Sequence, residues 1–367
     1  MAQEIERRWI VTDIDDSAWA YPSERIMQAY PGAPGMRIRK TRIGENESTE
    51  LMVKTGYGLE RDEDPLPVPN EAGDFLLEHS PHFLVKRRHH RDGWHVDRHE
   101  TPLHGLVVAE REIPTADTPV ELPPWIRSAV EVTNTVANET LAYLGRDLPD
   151  YRKHPEDFAV QMEHVRRMLI NPPKRICFTG GPCSGKSTAI RQLQEDLPDL
   201  FHPVTELATF VIQKLGAPPF PADHSFHNRR FNRNFVHIQR HMEELALDRA
   251  FVEGRRAILM DRGTMDNAAY VSGGIAGLED ACLTTAAAEY GRYDAVIFID
   301  MPNREVYERL SANNPARYET YEQAQATGQR TLGCWDGHRN LIVAPDADSW
   351  DAKYEGIRNI VMDILGI

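Results

Sequence analysis

The rhythm of hydrophobic and polar positions changes near residue 150. Before that point, apolar and polar residues alternate in short stretches broken by Gly, Pro and Asp. Ile5 to Val11, Met36 to Thr41, Glu50 to Lys54, Phe83 to Arg88, Trp94 to Arg98 and Leu106 to Ile113 follow this pattern, which predicts strands. Asp92-Gly93 lies between two of them and predicts a tight hairpin. The region therefore reads as mostly antiparallel β structure, of a kind that can close into a barrel. Pro155 to Ile170 carries Phe158, Val160-Gln161-Met162, Val165 and Met168-Leu169 as apolar contacts and ends at Asn171-Pro172-Pro173, which predicts a connecting helix. After Lys174, short apolar runs (Ala257 to Met260, Ala295 to Ile299, Leu341 to Val343) alternate with helical patterns. That alternation predicts a parallel sheet with helices on both faces. The chain thus divides into residues 1–147, a helical connector 148–173 and residues 174–367.

Charges in the first region fall at a spacing of two. Glu4-x-Glu6-x-Arg8, Arg37-x-Arg39, Lys86-x-Arg88 and Glu110-x-Glu112 each form a row, and on a strand residues two apart share one face. A single such row is an ordinary solvated face. Four rows, two basic and two chiefly acidic, predict something more if all turn inward. Carboxylates would then meet a divalent cation, and guanidinium and ammonium groups would meet the phosphates of a polyanion. His89, His90, His95, His99 and His104 read as solvated hairpin histidines, since His95 and His99 lie a full strand repeat apart rather than at metal-ligand spacing.

The second region opens on Arg175-Ile176-Cys177-Phe178-Thr179 and then Gly180-Gly181-Pro182-Cys183-Ser184-Gly185-Lys186-Ser187-Thr188. This fits the glycine-rich phosphate loop, G-x-x-x-x-G-K-[ST], between an apolar strand and a helix start. Glycines let backbone N–H groups turn toward phosphate oxygens, and the helix N-terminus adds positive potential. Gly180, Gly181, Ser184, Gly185, Lys186, Ser187 and Thr188 are the expected ATP contacts, with Lys186 on the outer phosphates. Ser187 and Asp261, at the tip of the run Ala257 to Asp261, are the expected Mg²⁺ ligands. Glu206, after a short strand, is placed either to take a proton from an acceptor hydroxyl or simply to cap a helix. Arg317, in Asn314-Pro315-Ala316-Arg317, is a candidate to neutralise a transferring phosphoryl group. Arg229, Arg230, Arg233 and Gln239 lie in a basic stretch where an acceptor would be covered, or on a solvated helix face.

Composition narrows the setting. The 367 residues, 41% hydrophobic and 27% charged, suit two globular domains. No apolar run reaches the length of a membrane span, and the opening residues do not form a signal peptide. Cys177, Cys183, Cys282 and Cys334 show no paired spacing, which predicts a reduced, cytoplasmic setting. The net charge is −14, and residues 1–150 hold 17 basic against 27 acidic side chains. That balance disfavours a nucleic-acid partner and leaves small phosphates as the expected ligands.

With those residues in view, Glu4-Ile5-Glu6-Arg7-Arg8-Trp9 resembles the E-x-E-x-K signature of the CYTH domain, the triphosphate tunnel metalloenzymes. The resemblance extends to about residue 145, through Arg37-x-Arg39, Lys54, Arg61-x-Glu63, Lys86-x-Arg88, Trp94-x-Val96-Asp97, Glu110-Arg111-Glu112, Pro124-Trp125 and Glu131-Val132-Thr133. It implies an eight-stranded antiparallel tunnel. Glu4, Glu6, Glu110 and Glu112 would hold Mg²⁺ or Mn²⁺, and Arg37, Arg39, Lys54, Lys86 and Arg88 would grip a triphosphate for metal-assisted hydrolysis. Arg8 stands where the signature has lysine; it keeps the charge but cannot carry a proton. Residues 174–367 resemble P-loop, AAA-type and nucleoside-kinase-like families through the phosphate loop, Asp261-Arg262-Gly263 and Asn314 to Arg317. The expected fold class is therefore α+β multidomain: an antiparallel β tunnel barrel followed by an α/β P-loop kinase-like parallel sheet.

Three functions suit this pairing. The leading one is a bifunctional phosphate enzyme, a metal-dependent triphosphatase joined to an ATP-dependent kinase or ATPase with a small acceptor. In the second, the tunnel senses a polyphosphate or nucleotide and regulates the kinase. The third is an RNA 5′-end triphosphatase and kinase.

Overall fold

The computed structural model describes residues 2–31, 36–57, 60–115, 118–133, 136–204, 206–211, 216, 225–311, 320–344, 347 and 349–367; for 2–4, 53–57, 60–64, 209, 225 and 310–311 it describes the backbone alone. The chain forms two compact units, Met1–Pro172 and Pro173–Ile367.

The first unit contains β1 (Ala2–Ile14), β2 (Ser23–Tyr30), β3 (Met36–Ile43), β4 (Asn46–Tyr57), β5 (Glu60–Pro67), α1 (Asn70–His79), β6 (His82–Arg91), β7 (Trp94–Thr101), β8 (Val107–Glu112), β9 (Ile126–Glu131), α2 (Asn138–Arg146) and α3 (Pro155–Ile170). All strand pairs are antiparallel, in the order β5-β4-β3-β2-β6-β7-β8-β1-β9. β5 also pairs with the start of β1 through Ala2–Ile5, so eight strands close into a barrel and β9 lies along the far half of β1. Closure leaves no open edge in that ring. Asp92 and Gly93 both have positive φ, 51° and 75°. They make the two-residue hairpin between β6 and β7, matching the right-handed twist of the strands.

The period of two sorts side chains cleanly. Trp9, Val11, Trp94, Val96, Ala109, Trp125 and Ile126 form a core outside the ring. Inside, Ile10, Tyr30, Leu84 and Val108 pack with Leu141 and Ala142 of α2 and with Phe158, Met162, Val165 and Leu169 of α3. The expected connecting helix therefore packs on the barrel and contributes to its apolar floor. Each such buried side chain contributes about 1.5–3 kcal/mol.

The second unit contains β10 (Lys174–Thr179), α4 (Lys186–Asp196), β11 (Phe201–Val204), α5 (Leu207–Thr209), α6 (Ser225–Val252), β12 (Ala257–Asp261), α7 (Gly274–Cys282), α8 (Ala286–Tyr290), β13 (Ala295–Phe298), α9 (Arg304–Ser311), α10 (Tyr321–Gly333), β14 (Leu341–Val343) and α11 (Trp350–Leu365). Its five strands are parallel, in the order β11-β12-β10-β13-β14. Cys177, Ile258, Met260 and Val296 enter a core with residues of α6 and α7. Ile176, Phe178, Leu259 and Ile297 enter the opposite core with α4 and α11. Both sheet faces are buried, which is why these strands read as continuous apolar runs. No helix among the described residues is long and apolar enough to cross a membrane.

Candidate functional sites

Register settles which charged rows share a face in the barrel. Glu6 lies opposite Glu112 and Arg8 opposite Glu110. Glu24 lies opposite Arg88, Gln28 opposite Arg39, Lys86 opposite His99 and Arg88 opposite Asp97. All are on the inner face, and contacts join them. Arg8 donates from Nε to Glu110 Oε1 at 2.9 Å and from Nη2 to Glu6 Oε1 at 2.7 Å. Arg88 reaches Asp97 at 2.7 Å and Glu110 at 2.5 Å, and Lys86 reaches Asp97 at 2.5 Å. Arg37 Nη2 lies 2.7 Å from Met52 Sδ. Arg39 lies 3.9 Å from both Glu24 and Glu50. Arg8, Arg37, Lys86, Arg88 and Glu110 are buried, while Glu112 is exposed. The side chains of Glu4 and Lys54 lie outside the described residues, as does Arg317.

Burial alone would discharge these groups; their partners keep them charged. At Arg8 burial works against the charge, but Glu110 and Glu6 outweigh it and raise the pKa. At Asp97 and Glu110 burial pushes upward, yet Arg88, Lys86 and Arg8 hold both carboxyls well below the usual range. Arg39 differs: burial, then Arg88 and Arg37, lower its pKa. His99 is lowered to about 3 by burial and then by Lys86, so it is neutral.

Of the barrel carboxylates, Glu6 and Glu110 fit a divalent cation poorly in this arrangement. Both Glu110 oxygens accept from guanidinium groups, Oε1 from Arg8 and Oε2 from Arg88, and Glu6 accepts from Arg8. Among the described residues no three His, Cys, Asp or Glu side chains are grouped as a metal cage. The cation between Glu6 and Glu110 is the chain's own Arg8.

In the second unit the phosphate loop follows β10 at the carboxyl edge of the sheet, where ligands enter open α/β folds. Lys186 Nζ donates to the carbonyls of Gly181 at 2.9 Å and Gly180 at 3.2 Å, and to Ser184 Oγ at 3.2 Å. Burial, then Arg262, lowers its pKa to about 8. Gly180 and Gly185 have φ of 138° and 100°; a Cβ would run into the Ile299 carbonyl at the first and the Trp350 ring at the second. Ser187 Oγ donates to Asp261 Oδ2, and among the described residues the buried Asp261 Oδ1 has no hydrogen-bond partner. An unshared carboxylate oxygen beside a hydroxyl fits Mg²⁺, which takes one or two protein oxygens together with phosphate and water. Thr188 lies half-buried in the first turn of α4. Glu206 caps α5 without a side-chain cap bond, and its charge is felt at both Lys186 and Arg262.

Residues 175–353 match the family model for an AAA domain. The AAA match spans β10 through the first residues of α11. No curated protein matches the chain. The inorganic triphosphatase NE1496 is similar to the N-terminal region at 22% identity and a TM-score of 0.29, covering 39% of this chain and 95% of that one. A second structure of NE1496, described as a hypothetical protein, gives 20% identity, a TM-score of 0.29 and coverage of 40% and 99%. Shikimate kinase from Aquifex aeolicus gives 16% identity, a TM-score of 0.29 and coverage of 52% and 96%. With such scores these likenesses carry no functional argument.

Several residues stand elsewhere than the sequence predicts, or carry contacts it does not assign. Asp97 is fully buried and holds both Lys86 and Arg88; its spacing of two from His95 and His99 was the available signal. His89 and His99 are buried, not solvated, because closing the ring encloses one and the Trp19 contact covers the other. In α6, Arg229, Arg230 and Arg233 are exposed, whereas Asn228, Asn232 and Gln239 are buried. Arg262, with φ of 78°, lies between Asp261 and Asp266, donating to Asp266 at 3.2 Å. Thr179 and Trp335 also bind Asp266, at 2.6 and 3.1 Å.

Proposed function

We propose that this protein handles phosphate at two centres: ATP-dependent phosphoryl transfer in the AAA-like unit, and capture of a triphosphate-class chain in the barrel. The observation that carries the first part is the tether of Lys186. It is buried, yet it rests on two backbone carbonyls and a hydroxyl rather than on a carboxylate. A phosphate oxygen would replace those neutral acceptors with a charge-assisted bond. Gly180 and Gly185 hold the turn open, and Ser184 with Thr188 lines it. Ser187 and Asp261 would hold Mg²⁺, which supplies charge neutralisation at the β- and γ-phosphates when bound. Glu206 would accept the proton of a small acceptor hydroxyl, or of water in ATP hydrolysis, and Arg317 would steady the transferring group.

For the barrel, the inward basic rows of Arg37, Arg39, Lys86 and Arg88 support recognition of a polyphosphate chain, with Lys54 completing the set. Hydrolysis there with Mg²⁺ or Mn²⁺ would require the carboxylates that Arg8 and Arg88 now hold. The geometry therefore supports capture ahead of cleavage, and the barrel as the sensor of the pair.

Phosphate release from ATP and from tripolyphosphate tests both halves. Release from ATP should fall by about 10²–10³-fold in Lys186→Ala and persist in Arg39→Ala. Release from tripolyphosphate that survives Lys186→Ala but not Glu6→Ala would instead make the barrel a hydrolase.

A further inference from the structure

We propose that the barrel binds a triphosphate-class chain without a divalent metal, the Arg8 guanidinium serving as the fixed cation between Glu6 and Glu110. The inference rests on reading the barrel as a triphosphate site, and it assigns the charge chemistry by which that site works.

Arg8 is tied down at every corner. Nε and Nη2 reach Glu110 and Glu6, Nη1 donates to the Val136 carbonyl at 2.6 Å, and the backbone N–H donates to Thr133 Oγ1 at 3.1 Å. Its side chain is 5% exposed and that of Glu110 3%. A metal entering between the two glutamates would have to turn the guanidinium out of these bonds. Arginine cannot escape the conflict by losing its proton. The charge would then stay buried beside a dication with its carboxylates withdrawn, which weakens metal binding by about a hundredfold or more.

A second set of observations points to a ligand in the same space. Among the described residues, Gln28 Oε1, Arg39 Nε and both ring nitrogens of His99 are buried without hydrogen-bond partners. Among them too, the ion partners of Arg39 lie at 3.9 Å, beyond hydrogen-bond reach. Arg37 and Arg88 also crowd it with like charge. Guanidinium groups held together in an enclosed space gain most from a polyanion. Neutral His99 offers one N–H donor and one acceptor to the same interior. The loosely held guanidinium of Arg39 thus faces the interior from β3, while on the β1 and β8 side Arg8 already occupies Glu6 and Glu110.

Calorimetry with sodium tripolyphosphate on full-length Lys186→Ala, whose phosphate loop is disabled, tests the idea. The dissociation constant in EDTA should be equal to, or lower than, that in excess Mg²⁺, and Arg39→Ala should raise it about tenfold. Electron paramagnetic resonance should detect no Mn²⁺ held in the barrel of Lys186→Ala. Adding Arg8→Lys, which replaces the fork with a single movable ammonium, should create one Mn²⁺ site per chain. Tripolyphosphate binding that appears only with Mg²⁺, or Mn²⁺ bound in the barrel with Arg8 in place, overturns the inference and leaves the barrel a triphosphate site. Absence of binding in both conditions overturns the barrel reading itself.

Discussion

The two units hold buried cations in opposite ways. In the AAA-like unit Lys186 rests on carbonyl oxygens and a hydroxyl, and burial has already brought its pKa down to about 8. In the barrel, Arg8, Lys86 and Arg88 rest on Glu6, Asp97 and Glu110. Neutral tethers are readily exchanged for a phosphate; buried carboxylates are not. The first arrangement suits exchange with a ligand and the second is locked into place, with Arg39 held from Glu24 and Glu50 at 3.9 Å. On the proposed reading, the same ligand chemistry would be served by one site built to release and another built to hold.

The comparison breaks most visibly if the barrel network loses a carboxylate. Glu110→Ala leaves Arg8 and Arg88 buried beside a missing partner and should destabilise the barrel by about 3–5 kcal/mol. Urea unfolding followed by tryptophan fluorescence measures this, since Trp9, Trp94 and Trp125 all lie in the barrel core. The folded-state pKa values of Asp97 and Glu110 are depressed. Their stabilisation is thus complete above the unfolded carboxylate pKa of about 4 and is lost as the pH falls below it.

A somewhat smaller effect is expected in the AAA-like unit. Lys186→Ala should cut ATP turnover by about 10²–10³-fold, the scale for removing one donor from a developing anionic centre, with no change in the urea transition of the barrel. Smaller again is Gly185→Ala, which forces a side chain into the left-handed region at a cost of about 1–2 kcal/mol and toward Trp350. Weaker ATP binding with the barrel transition unmoved is the outcome that supports two separable sites. The mildest test is pH. ATP prefers charged Lys186, whose pKa in the free protein is about 8. Affinity should be flat below that pH and fall about tenfold per unit above it; a flat profile to pH 10 would show that Lys186 is not the phosphate's partner.

Much of this was legible in the chain because local chemistry carried it. The Asp92-Gly93 turn, the phosphate loop, the helix Pro155–Ile170 and the strand Ala257–Asp261 needed only their own residues. β2, β5 and β9 were not anticipated. β5 holds Arg61, Asp62, Glu63, Asp64 and two prolines; it is a strand because ring closure pairs it with β1 and β4 on both sides. The roles of Asp97 and His99, the one unassigned and the other expected in solvent, differ for a related reason. Their burial follows from the register between β6 and β7, including a shift between Val85 and Lys86, which no single stretch encodes. The basic segment of α6 left two readings open, an acceptor cover or a solvated face, and helical spacing turns its arginines outward and its asparagines inward.

The central claim, that the barrel interior is a phosphate site in its own right, is tested most directly by counting. Titration of full-length Lys186→Ala with tripolyphosphate should show one site per chain, and adding Arg39→Ala with Arg88→Ala should abolish it. A chain that binds no tripolyphosphate once Lys186 is gone would contradict the account, leaving the AAA-like unit as the sole phosphate-handling centre.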